Sequence, residues 1–269
     1  MSFKNWLSLI FVMLLISSCN KYAGKNGSYK KQADGYAKIL KQQPQDIPVD
    51  SAAAPDWVGT TNFNMRKPNF VIIHHTAQNS CDETIRTFTL TRTQVSAHYV
   101  ICRNGVVHHM LSDYLRAWHG GAAKWGNITD LNSVSIGIEL DNNGFEPFSA
   151  LQINSLLTLL DTLKKRYSIP SANFIGHADI APVRKNDPNV RFPWKTLADR
   201  GFGLWYSDTT NVAVPNDFNA LQAMRIIGYD TKDSTAAIIA FKRHFMQDTL
   251  SRKIGEPDKK ILYELYRKY

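Results

Sequence analysis

Phe70-Val71-Ile72-Ile73-His74-His75 places four consecutive apolar residues ahead of two imidazoles. A run this short and this apolar reads as a buried strand with histidines at its end. Downstream, Thr84 to Arg92 suits a short helix. Val95 to Ile101 and Val106 to Met110 flank Arg103-Asn104-Gly105, and Asn-Gly between apolar runs signals a hairpin. Val134 to Leu140 is another strand, with Val134, Ile136, Ile138 and Leu140 on one face. Over 149–167, Ile153, Leu156, Leu157, Leu160 and Leu163 recur at helical spacing; Ser149 is placed to cap that helix and Pro170 to end it. Asn173 to Gly176 is a further short strand. Strands interleaved with helices predict an α/β domain, a mixed β-sheet flanked by helices.

Around this core the texture changes. From about Pro215, Phe218, Leu221 and Met224 precede Gly228; Ile238, Phe241 and Phe245 share a second face; Pro257 opens a third segment with Ile261 and Leu265. This predicts a small three-helix bundle, marginal alone and expected to pack on the first domain. Residues 20–55 are rich in Lys, Gln, Gly, Ser, Asn and Asp without a period, and read as a solvated tether with at most a short helix around Tyr36 to Lys41. At the N-terminus, Lys4 and the apolar stretch Trp6 to Ile16 have the form of a signal peptide. Ile16-Ser17-Ser18-Cys19 resembles a bacterial lipobox, which implies cleavage after residue 18 and lipidation of Cys19. The expected organisation is therefore a signal peptide at 1–18, a lipidated tether at 19–55, a catalytic domain at 56–210 and a helical domain at 211–269.

The 269 residues are 43% hydrophobic and 20% charged, a globular composition. Three cysteines are too few for a disulfide scaffold. Cys81 and Cys102 could pair in an oxidising compartment or lie apart as buried thiols. Lys and Arg number 32 against 23 acids, a net charge of +9; loss of residues 1–18 removes only Lys4 and leaves +8. Such an excess suits a polyanion, whether nucleic acid, anionic lipid or a cell-wall polymer. Export argues against nucleic acid, and neither zinc-finger spacing nor a basic helix is present.

Three residues could carry chemistry together. His74 and His177 each follow a strand, and Asp187 lies in the Pro-punctuated loop Ala181 to Pro188. Two imidazoles and one carboxylate suit Zn2+ with a fourth position open to water, whose pKa the metal would lower to about 7. Spacing alone leaves the alternative of structural, hydrogen-bonded histidines. Glu139, between Ile138 and Leu140 on the opposite side of its strand, could point into a cleft or make a structural ion pair.

The surrounding phrases add to this. Val71-Ile-Ile-His-His-Thr-Ala77, Ser96-Ala-His-Tyr-Val-Ile101, Arg116-Ala-Trp-His-Gly-Gly121, Ile136-Gly-Ile-Glu-Leu140, Ile175-Gly-His-Ala-Asp-Ile-Ala-Pro182 and Phe192-Pro193-Trp194 occur in this order. Together they resemble the zinc-dependent N-acetylmuramoyl-L-alanine amidases, the type 2 amidase family related to peptidoglycan recognition proteins. The resemblance runs from about Pro68 to Trp194. It implies His74, His177 and Asp187 as zinc ligands, Glu139 as the acid/base residue and Lys185 as a charge stabiliser. His98, Trp118 and His119 match groove positions that contact substrate, with burial in the sheet as the alternative. His75 points away from His74 on a strand and is not expected to share the metal. Val183 and Asn189 stand where the family commonly has glycine, which leaves the shape of the ligand loop open. The C-terminal bundle resembles a peptidoglycan-binding module and could equally be a structural cap. The expected activity is hydrolysis of the amide between the lactyl group of N-acetylmuramic acid and L-alanine, at the bacterial cell envelope on a lipid anchor, on the outer membrane facing the periplasm. The expected partners are peptidoglycan or muropeptides and the membrane, with no obligate protein partner. A non-catalytic peptidoglycan receptor and a zinc peptidase acting within the stem are the competing readings.

Overall fold

The apolar runs form a five-stranded sheet. In the computed structural model, which describes residues 21–42, 60–248 and 250–268, the strands are β1 (Phe70–His75), β2 (Tyr99–Ile101), β3 (Val107–His109), β4 (Ser135–Leu140) and β5 (Phe174–Gly176). Their order is β3-β2-β4-β1-β5. β1 pairs in parallel with β4 and β5, β2 pairs in parallel with β4, and the β2–β3 hairpin is antiparallel. The hairpin turns through Gly105, whose φ of +84° lies where a Cβ is strained. The sheet is thus mixed, as its sequence pattern predicts.

The helices among the described residues are α1 (Ala23–Leu40), α2 (Cys81–Phe88), α3 (Leu131–Val134), α4 (Ala150–Tyr167), α5 (His177–Ile180), α6 (Trp194–Ala198), α7 (Ala220–Ile227), α8 (Ser234–Phe245) and α9 (Glu256–Tyr266). α2 starts three residues before the predicted helix because the Ser80 side chain accepts from the Glu83 N–H and caps it. Ser149 caps α4 in the same way through the Gln152 N–H.

Each face of the sheet buries its own core. Val71 and Ile73 of β1, with Ile136, Ile138 and Leu140 of β4, pack against Ile153, Leu156, Leu160 and Leu163 of α4. Phe70 and Ile72, pointing the other way, join Ile175, Met224, Ile227, Tyr229, Phe241, Leu262 and Leu265. The three C-terminal helices therefore cover the second face of the sheet. The boundary expected near residue 210 falls inside one unit, residues 65–269. Cys81 and Cys102 are disulfide-bonded with Cα atoms 5.4 Å apart, joining the start of α2 to the end of β2.

The N-terminal unit departs from the sequence reading. α1 spans 18 residues of the stretch read as a flexible tether, and none of them is buried. A helix that buries nothing needs no apolar stripe, so periodicity could not find it; its lysines, glutamine and alanines are adequate helix formers. The signal-peptide stretch and Cys19 lie outside the described residues. No helix among the described residues is long and apolar enough to cross a membrane.

Candidate metal centre

Side chains alternate along a strand, so His74 shares the face of Phe70 and Ile72. Parallel register places Glu139 of β4 directly beside His74 and Gly137 beside Ile72. His177 is the first residue of α5, immediately after β5. Asp187 reaches the same point because the loop 181–187 folds back: the Ala178 N–H donates to the Asp187 carbonyl at 2.7 Å.

The three predicted ligands meet. His74 Nδ1 lies 2.9 Å from His177 Nδ1 and 3.1 Å from Asp187 Oδ2, and His177 Nδ1 lies 3.0 Å from the same oxygen. A tetrahedral ion with bonds near 2.0–2.1 Å needs donor separations of about 3.3 Å. All three side chains are buried.

The remaining ring nitrogens fix what these atoms offer. His177 Nε2 lies 3.0 Å from the Gly120 carbonyl, which can only accept. Ser135 Oγ donates to the Leu131 carbonyl at 2.5 Å. It therefore accepts from His119 Nε2–H at 3.1 Å, and His119 Nδ1 accepts from His74 Nε2–H at 3.0 Å. Both Nδ1 atoms are thus left with lone pairs, converging on a carboxylate oxygen. Three lone pairs at hydrogen-bond distance repel one another without a cation between them. Burial, then the neighbouring His177, pushes His74 down to about 4. Burial pushes the Asp187 carboxyl up, but His177 and His74 outweigh it and hold the group well below the usual range. Neutral imidazole and ionised carboxylate are the forms that bind a metal. The donor set fits a divalent ion of the zinc type.

Glu139 is buried beside this cluster, and its Oε2 has no hydrogen-bond partner among the described residues. Burial, reinforced by the Asp187 charge, raises its carboxyl to about 8, while Lys185 acts in the opposite direction. Lys185 is partly buried, two residues before Asp187.

Other expected positions fall out differently. His98 is fully buried, with Nδ1 accepting from the Gly137 N–H and Nε2 donating to the Leu115 carbonyl, each at 3.0 Å. Both nitrogens are committed inside the protein, so the substrate contact expected of His98 is not available in this structure. His119 likewise points inward and serves as the hydrogen-bond acceptor behind His74. Trp118 is half exposed, its ring free of such commitments. His75 is buried on the opposite strand face, beside Gly144. Asn189, where a glycine was expected, ties the ligand loop down: its Nδ2 donates to Asn142 Oδ1 at 3.0 Å and to the Glu146 carbonyl at 3.2 Å.

The supporting residues escaped the sequence reading. Asn132 Oδ1 accepts from the His119 and Gly120 N–H groups at 3.1 and 2.7 Å. A Cβ on Gly137 would lie 2.4 Å from the His119 ring, so that glycine makes room for it. Glycine inside a strand often marks such an approach, and that signal was present in Ile136-Gly137-Ile138. Asp179, two residues after His177, accepts from the Gly176 N–H at 2.8 Å, from Tyr229 Oη at 2.8 Å and from His244 Nδ1 at 2.7 Å. His244 of α8 is therefore a buttress of the turn that carries His177.

The profile of the family described as N-acetylmuramoyl-L-alanine amidase matches residues 64–190. AmiD of Escherichia coli K12, an N-acetylmuramoyl-L-alanine amidase, is 32% identical over 297 aligned positions, covering 99% of both chains. The chain belongs to this amidase family. Among solved structures, E. coli AmiD bound to anhydro-N-acetylmuramic acid-L-Ala-D-γ-Glu-L-Lys superposes with a TM-score of 0.70 at 29% identity, over 81% of this chain and 95% of that one. AmpDh3 of Pseudomonas aeruginosa, in complex with an anhydromuramic pentapeptide, gives 0.69 at 28% identity, over 82% and 99%. Both matches extend past the 127 or so residues of the profile, so the C-terminal helices belong to the shared amidase architecture.

Proposed function

We infer that this chain is a zinc-dependent N-acetylmuramoyl-L-alanine amidase that cleaves the amide between the lactyl group of N-acetylmuramic acid and L-alanine. The observation that carries the reading is the convergence of His74, His177 and Asp187 beside an unpartnered, buried Glu139 carboxylate. His74 Nδ1, His177 Nδ1 and Asp187 Oδ2 would hold the ion. When bound, zinc supplies Lewis-acid polarisation and a nucleophilic water at neutral pH. Glu139, in register beside His74, takes the proton of the attacking water at its carboxylate and delivers one to the leaving nitrogen of L-alanine. Its raised pKa suits it to keep that proton between the two steps. Lys185 places an ammonium at the developing oxyanion. His119, Ser135 and Asn132 hold the His74 ring in the productive tautomer.

A defined muramoyl tripeptide tests this. Mass spectrometry should show the sugar with a free lactyl carboxylate and a peptide with a new L-alanine amine. A chelator should abolish turnover and Zn2+ restore it. Cleavage inside the stem, or tight binding without turnover in the presence of zinc, overturns the reading.

The lipobox-like Ile16-Ser17-Ser18-Cys19 supports placement at the bacterial cell envelope, with acyl chains on Cys19 as the anchor, and Asn20 after that cysteine is the feature that favours the outer membrane, facing the periplasm, over inner-membrane retention. More than one chain is needed for stable attachment. Radiolabelled palmitate should enter the wild-type protein and not Cys19→Ala, and that variant should leave the membrane fraction.

A further inference from the structure

Beside the metal centre the molecule opens into a cleft of about 480 Å3, between the ligand loop and α8. Its walls carry four cationic residues, Arg184 and Lys185 from the loop, Arg243 from α8 and Arg252 beyond it, against one carboxylate, Asp233. Asp233 is already engaged, accepting from the Ala236 N–H at 2.9 Å as the cap of α8. Arg184 is engaged too, donating to the Gly120 and Ala122 carbonyls at 2.9 and 2.8 Å. Lys185, Arg243 and Arg252 make no side-chain hydrogen bond or ion pair among the described residues.

Arg243 is the informative one. It is partly buried, and it also lines the narrow gap formed with Gly176, Asp179 and Pro188, next to the ligands His177 and Asp187. Its charge acts on Asp187 and His75, and that of Lys185 on Glu139, His74 and His75. Both cations therefore lie within electrostatic reach of the centre. Asp179 and then Asp187 attract the Arg243 guanidinium through space, yet neither hydrogen-bonds it, so its planar fork stays available to match a carboxylate bidentately. Lys185 lines the cleft and also neighbours the reacting bond in the amidase reading. The cleft therefore opens beside that bond, within reach of a short chain attached to it.

We propose that this cleft is a carboxylate-binding subsite for the acidic stem peptide of the substrate, with Arg243 of the C-terminal helix as the principal partner of a free stem carboxylate. The proposal rests on the amidase reading for the identity of the peptide. It adds a specificity element contributed from outside the stretch that the family profile matches.

The test uses the full, zinc-loaded chain and the tripeptide L-Ala-D-γ-Glu-L-Lys, with its carboxylates free or converted to amides, in calorimetric titrations. Wild type should bind the free acid about 10- to 100-fold more tightly, the range of a hydrogen-bonded charge. Arg243→Gln should reduce that ratio to about 2-fold, and Arg243→Lys should restore part of it, since it keeps the charge and loses the fork. Arg252→Gln, at an exposed position, should narrow the ratio about 3-fold without lowering the melting temperature, which keeps the test informative should Arg243→Gln fold poorly. Hydrolysis of the muramoyl tripeptide by wild type is measured in parallel. Turnover combined with equal binding of acid and amide overturns the subsite and leaves the amidase reading standing. Absence of turnover overturns the amidase reading, while the titrations still report on the cleft. A ratio unchanged in both glutamine variants also overturns the subsite.

Discussion

Glu139→Gln should make the metal-free protein more stable and the enzyme inactive. In the folded chain the carboxyl is raised from 4.5 to about 8, chiefly by burial. A raised acid contributes most favourably at low pH, and its contribution is lost as the pH climbs from the unfolded value through the folded one. At pH 4 both states hold the proton, and glutamine gains nothing. At pH 7 the unfolded chain has released it while the folded chain retains it, which costs about 3 kcal/mol at 1.36 kcal/mol per pH unit. Glutamine is free of that cost. Its amide inherits the same unpartnered position as Oε2, so the hydrogen-bond balance barely changes.

Urea unfolding in the presence of a chelator, repeated from pH 4 to pH 8, measures the difference between the two proteins. The gap should open from near zero to about 3 kcal/mol at pH 7, with equal urea slopes. Titration of His74 and Asp187 is common to both proteins and largely cancels. Added zinc should shrink the gap below about 1 kcal/mol, because a nearby dication favours the ionised carboxylate. A gap independent of pH, or one that zinc leaves alone, would refute the account of Glu139 as a desolvated acid facing a metal site.

Three further outcomes follow from the same geometry. Gly137→Ala drives a Cβ into the His119 ring, and the displaced hydrogen bond to His74 should weaken metal affinity about 10- to 100-fold in chelator-competition titrations. Opening the Cys81–Cys102 bridge, which closes a separation of 21 residues, should cost about 3 kcal/mol in urea melts and leave the metal stoichiometry unchanged. His244→Phe can retain the stack on Trp194, whose ring centroid lies 3.9 Å away, yet it removes the Nδ1 partner of Asp179. The expected loss is about 1–3 kcal/mol of stability, with weaker metal retention through the turn that carries His177.

Much of the sheet was legible because its faces are. Ile136, Ile138 and Leu140 alternate with residues that face the chemistry, and Ile153 to Leu163 mark the helix that covers the apolar side; Val134, read as part of the same strand face, instead ends α3 and packs against the core of the other face. The ligands were legible as strand-end and loop residues, but their meeting was not. It depends on β1 and β5 pairing in parallel, with Ile73 beside Gly176 so that His177 follows next to His74, a register between segments about a hundred residues apart that no local pattern encodes. His98 and His119 share the problem in reverse. Their phrases mark the site, yet whether each ring faces substrate or packs behind a ligand depends on Gly137, Ser135 and two carbonyls brought in from elsewhere. α1 was missed for the opposite reason, since a helix with no buried face leaves no apolar period to find.

The C-terminal helices are best understood from what the sheet lacks without them. Phe70, Ile72 and Ile175 lie on the same face as His74, and the residues that bury them include Met224, Phe241 and Leu262. Removing α7 to α9 would expose that apolar surface directly beside the candidate metal ligands, and would also take away Tyr229 and His244 from Asp179. Asp179 would keep the Gly176 N–H but would be left with buried acceptor capacity unfilled, at the turn that aims His177. The same helices supply Arg243 to the cationic cleft. Cover for the sheet thus comes from α7 to α9 together, support for the turn carrying His177 from Tyr229 and from His244 of α8, and one wall of the cleft from α8. That is why the catalytic domain expected to end near residue 210 should not retain a well-ordered metal centre when expressed without the remainder of the chain. Loss of soluble, metal-binding protein on truncation at that point is the expected result, and a truncated protein with full zinc affinity would contradict it.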